Sequence, residues 1–225
     1  MRKGQLLATT AALITAPLMA LPASAASCVN GTIASYEALG TTGCSVGGVT
    51  FSSFNVNTTV TGSGSVAFAS PYSVVVTSGG GEFGLELEYA ANTGSTAGSA
   101  ADVAWTYNVS GNLLTDALVS LAGTTSGTGT INVSEVFTNG TTLTLLGAGS
   151  TTTTFTPIGS LGVIKDQEDY SGSAGSSDSS ILVNEFSLTS TPIPATLPLL
   201  ATGLAGLWGV SRKRRKGSRL GSAQA

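Results

Sequence analysis

The sequence predicts an all-β fold: a single antiparallel β-sandwich, with a helical signal segment before it and a short transmembrane helix after it. Three observations carry this. Residues 26–190 are rich in Thr, Ser, Gly and Val and poor in long helix formers. Apolar and polar residues alternate in several runs, the period of a half-buried strand. Clusters of Gly, Asn and Ser punctuate those runs at short intervals. At about 165 residues this body suits one domain.

Residues 1–25 read as a signal peptide. Met1-Arg2-Lys3 is basic, Leu6–Leu21 is apolar, and Ala23-Ser24-Ala25 supplies the small residues that signal peptidase needs. The mature chain is expected to begin at Ala26. Ala25-Ala26-Ser27 lacks the usual Leu of a lipoprotein signal before Cys28, so this cysteine is expected to stay a thiol or a disulfide. Cys28 and Cys44 are the two cysteines, an even count in an exported chain, and a disulfide between them is expected. A loop of that length contributes ~3 kcal/mol by restricting the unfolded state.

The strands follow in order. Val49–Val56, Val66–Ala69 and Tyr72–Thr77 come first. Phe83, Leu85, Leu87 and Tyr89 then alternate with Glu82, Glu86 and Glu88, the acids pointing the other way. Val103, Trp105, Tyr107 and Val109 share one face of the next strand. Thr130–Phe137, Thr141–Leu146, Leu161–Lys165 and Ile181–Leu188 complete the set, and Asn112–Leu121 fits either a strand or one short helix. Turns are expected at Gly79-Gly80-Gly81, Ser110-Gly111-Asn112, Thr125–Gly129, Asn139-Gly140 and Ser171–Ser180, the fourth as a type I′ hairpin.

Charge narrows the function. Of nine Lys and Arg, eight lie in the two terminal segments, and Lys165 alone stands in the body against all twelve Asp and Glu. The exported part thus carries about −11, which excludes nucleic acid as a partner because that needs a basic face. The chain has no His, so neither a Ser-His-Asp nor a Cys-His site can form within it. Glu86 and Glu88 are the nearest to a glycosidase pair, but their spacing recurs on any solvated strand; Glu135 and Glu185 read as isolated solvated acids. No catalytic residue is assigned and the chain is expected not to be an enzyme. Asp166, Glu168 and Asp169, expected on a loop after a strand, are the one candidate Ca²⁺ group; no other cofactor is expected. Trp105 and Tyr107 could stack against sugar rings, but their apolar neighbours on the same face assign them to the core.

The C-terminus has three parts. Pro192-Ile193-Pro194-Ala195 is a Pro-rich break, Thr196–Val210 is an uncharged Leu/Ala/Gly run, and Arg212-Lys213-Arg214-Arg215-Lys216 is a basic cluster that stays cytoplasmic. The apolar run is shorter than the ~20 residues of an ordinary single-pass anchor. Residues 191–216 resemble a PEP-CTERM sorting signal, with 217–225 as a cytoplasmic tail. Ile193 stands where the usual core has Glu, which is closer to the Val-Pro-Leu-Pro-Ala variant. Cys28–Phe54 also resembles the opening of many PEP-CTERM proteins. The resemblance implies export through the inner membrane of a Gram-negative bacterium, with transient or lasting membrane attachment. Signal peptidase and an exosortase-like transpeptidase would process it. The destination implied is the cell surface or the extracellular matrix of a biofilm, with extracellular polysaccharide as a further partner. The alternative is a secreted carbohydrate-binding module or a glycan hydrolase.

Overall fold

The computed structural model describes residues 25–189. The signal segment, the sorting motif Pro192–Ala195, the apolar run and the basic cluster lie outside the described residues. Within them no helix is long and apolar enough to cross a membrane.

The elements in chain order are β1 (Ala26–Ser27), α1 (Ile33–Glu37), β2 (Cys44–Val46), β3 (Val49–Thr61), β4 (Ser65–Phe68), β5 (Val74–Gly79), β6 (Glu82–Asn92), β7 (Ala100–Gly127), β8 (Thr130–Phe137), β9 (Thr142–Leu146), β10 (Gly149–Tyr170) and β11 (Gly175–Leu188). They form one 11-stranded sheet that curls back on itself. All pairings are antiparallel except the short β1–β2 contact.

Two long strands join the halves. The first part of β7 pairs with β3 and with the second part of β10; its second part pairs with β11 and the first part of β10. Ser110-Gly111-Asn112, expected to reverse the chain, instead bends it. Leu113 takes a left-handed φ of 64°, and a Cβ on Gly111 would meet Leu188 Cδ2 at 2.8 Å. The register of β10 shifts opposite the same point, where Pro157 is tolerated because a bulge spares it a ladder bond. Asn112–Leu121 is therefore strand. Asn139-Gly140 does close the β8–β9 hairpin, but not as type I′: Gly140 alone takes positive φ there, and Asn139 Oδ1 accepts from Thr141 N. Ser171–Ser180 is a turn only at its start, since β11 begins at Gly175.

The curl brings the inner faces together. Phe186 on β11 packs against Phe51 on β3 and Phe137 on β8, with ring centroids 6.1 and 6.4 Å apart. Trp105 and Tyr107 are buried with them, so both belong to the core. Burying one such ring contributes about 1.5–3 kcal/mol. On β6 the alternation holds: Leu85, Leu87 and Tyr89 are buried while Glu86 and Glu88 face outward.

Candidate functional site

At the β1–β2 end the chain is held by the Cys28–Cys44 disulfide. Thr32 caps α1 by accepting from Ser35 N at 3.2 Å, and Tyr36 Oη donates to the Val29 carbonyl at 2.9 Å. Burial pushes the Tyr36 phenol up to about 12, so it remains a neutral donor. A second anchor is the Ile33 amide on Ser73 Oγ at 3.0 Å. These ties frame a cleft of about 480 Å³, within the range of small-ligand sites. Val29, Tyr36, Leu39, Pro71 and Tyr72 give it apolar walls, and Asn30, Thr32 and Ser35 give it polar edges. Tyr72 is 48% exposed, so its ring can be contacted from solvent. Among the described residues, no carboxylate lines the cleft. The arrangement offers an exposed ring face beside neutral hydrogen-bonding groups.

The carboxylates lie elsewhere. Glu86 and Glu88 share an outer face; desolvation first, and Glu88 second, raise Glu86 above the usual carboxylate range. Glu82 is raised likewise by desolvation and by Glu185.

The candidate Ca²⁺ group is corrected by the fold. Asp166-Gln167-Glu168-Asp169 is not a loop but the continuation of β10, so alternate residues face opposite ways. Asp166 and Glu168 point outward, whereas Asp169 is buried and its Oδ2 accepts from Gln167 Nε2 at 3.1 Å and Ser179 Oγ at 2.5 Å. Desolvation outweighs these bonds and raises the Asp169 carboxyl. Among the described residues no group of three metal-ligating side chains converges.

Glu135 was expected in solvent and is fully buried. Lys165, next to it in register, is buried as well, with its Nζ 3.6 Å from Glu135 Oε2. Asn184 lies across the core: its Oδ1 accepts from Tyr107 Oη and its Nδ2 donates to the Leu118 carbonyl at 2.9 Å. The signal was present in the alternation, since Ile131, Val133 and Phe137 share Glu135's face and Leu161 and Val163 share that of Lys165. Because Lys165 is sealed inside, every charged side chain on the described surface is acidic.

No protein-family model matches the chain, and no curated protein matches it. Among solved structures, it is similar to TmCBM61 in complex with β-1,4-galactotriose: 9% identity, covering 57% of this chain and 86% of that one, TM-score 0.29. A family 11 carbohydrate-binding module of a Clostridium thermocellum cellulosomal cellulase is 12% identical over 62% of this chain and 91% of its own, TM-score 0.22. A family two carbohydrate esterase from Cellvibrio japonicus is 9% identical over 62% and 37%, also at 0.22. At these scores the likeness stops at β-rich architecture over part of the chain.

Proposed function

We propose that this chain is an exported, non-enzymatic protein of the cell surface or extracellular matrix that holds a neutral polysaccharide in the cleft beside Tyr72. The observation that carries the reading is that cleft: an exposed aromatic ring flanked by Asn30, Thr32 and Ser35, with no carboxylate in the lining. The acidic surface of the described residues argues for a neutral polymer, because an anionic one would be repelled. The disulfide supports a destination outside the cytoplasm. Affinity electrophoresis through neutral and acidic polysaccharides tests the binding. Retardation by a neutral polymer, lost in Tyr72→Ala with unchanged thermal stability, is expected; equal mobility in all gels overturns the reading.

The route outward is proposed from the terminal segments. An exosortase-like enzyme acts near Pro192–Ala195 after signal peptidase has acted at Ala25. Intact-mass measurement of the surface form is expected to show both ends missing, the second dependent on that enzyme. A full C-terminus retained in the inner membrane would mean a plain anchor.

A further inference from the structure

A buried polar cluster lies between β8, β10 and β11. A charged pair in a core is weak evidence for stability, since apolar side chains of similar volume commonly do as well. Here the pair is also poorly satisfied: among the described residues, neither Glu135 oxygen nor Lys165 Nζ completes a hydrogen bond. Both groups are fully buried, and Asn184 approaches Glu135 from the opposite face of the sandwich. An amine, a carboxamide and a carboxyl group are thus buried together, with Trp105 opposite Lys165 in register, Tyr107 bonded to Asn184, and Phe137 and Phe186 on the faces of Glu135 and Asn184.

We propose that Lys165 and Asn184 become joined by an intramolecular amide bond, formed in the folded protein with Glu135 as the proton-transferring group. The lone pair of Lys165 Nζ attacks Asn184 Cγ, and an Nζ–Cγ bond forms. The Cγ–Nδ2 bond breaks, its electron pair leaving with nitrogen. Glu135 removes a proton from Nζ and delivers one to Nδ2, which departs as ammonia, and Glu135 ends unchanged. No oxidant, reductant or external reactant enters the balance. Tyr107 Oη already donates to Asn184 Oδ1, where negative charge develops during attack. Holding the groups together in one fold replaces a bimolecular encounter, and exclusion of water removes hydrolysis as a competitor.

The protonation states fall in the needed direction. Desolvation lowers the Lys165 ammonium to about 8 and raises the Glu135 carboxyl, each against the pull of the other. Both groups therefore move toward the free amine and the neutral acid that the first step uses. The product would tie β10 to β11 across the core. It would also remove the buried amine from the core.

The sequence supplies a direct readout. Lys165 is the only Lys or Arg between Lys3 and Arg212, so trypsin has one site in the body. After overnight incubation of the folded full chain, its mass is expected to lie about 17 Da below that of the disulfide-bonded sequence, the loss of one ammonia. The reduced, denatured protein is then expected to resist trypsin at Lys165, and a digest with another protease to yield a branched peptide joining residues from β10 and β11. Glu135→Gln keeps the shape but removes the proton carrier, and should restore the full mass and tryptic cleavage. Asn184→Asp is expected to reach the same final mass as the wild type, losing water instead. A wild-type chain of full mass that trypsin cuts after Lys165 overturns the proposal, and this outcome depends on no variant folding.

Discussion

The two faces of β10 differ more than any two regions of the fold. From Leu161 to Tyr170 one backbone carries Lys165, Gln167 and Asp169 into a dry core and Asp166 and Glu168 into solvent. Local density of charge is the same on both faces. Environment is not, because a strand sends successive side chains to opposite sides. Inside, each charge needs a named partner; outside, water serves, and the carboxylates merely repel one another. The difference teaches that an acidic run on a strand is two separate features, one per face.

The sharpest way to break this contrast is on the inner face. Lys165→Met leaves Glu135 buried without its partner, and removing one partner of a buried pair costs about 3–5 kcal/mol. Urea unfolding is expected to show a loss of that size. Adding Glu135→Leu should recover the part due to the unpartnered buried carboxyl, leaving only whatever the covalent tie contributed. Glu168→Gln, two residues further along on the outer face, is expected to stay within about 0.5 kcal/mol of the wild type. Equal losses for Lys165→Met and Glu168→Gln would mean that the two faces are not energetically distinct.

How far this was legible in the sequence depends on alternation. β8 is found at its observed bounds, Thr130–Phe137, because Ile131, Val133 and Phe137 announce its inner face. The body of β6 and the burial of Trp105 and Tyr107 follow for the same reason. By contrast β10 extends from Gly149 to Tyr170 where Leu161–Lys165 was expected. Thr151–Thr154 and Asp166–Asp169 show no apolar period, and their strand character comes from pairing with β7, a tertiary effect. The Ser-rich stretch after Tyr170 misleads in the same way. Ser177 and Ser179 are buried, the first bonded to Thr93 and the second to Asp169, so polar residues there belong to an inner face that hydrophobicity cannot mark. The cleft was least legible of all. Its walls come from residues 26–44 and from Pro71 and Tyr72, brought together by tertiary ties such as the disulfide, the Gly31–Val74 bridge and the Ile33–Ser73 hydrogen bond.

The outer face gives the smaller, pH-dependent effect. Asp102 on β7 lies opposite Glu168 in register, with Asp166 beside it. Desolvation, then the hydrogen bond and charge of Asp166, then the charge of Glu168, raise its carboxyl from 3.8 to about 7. A raised folded-state value for an acid means that the folded chain holds a proton the unfolded chain has already released. Between about pH 4 and 7 that difference erodes stability as pH rises, and above 7 the full repulsion remains. Asp102→Asn removes the ionising group. Allowing for solvent screening at this half-exposed site, its melting temperature at pH 8 should exceed the wild type by on the order of 2–4 °C. At pH 4 the two proteins should melt together, because Asp102 is protonated in the folded state there. Asp166→Asn should reproduce part of the gain by lowering Asp102 toward its ordinary value. A difference between Asp102→Asn and wild type that is constant with pH would locate the effect in packing and not in charge.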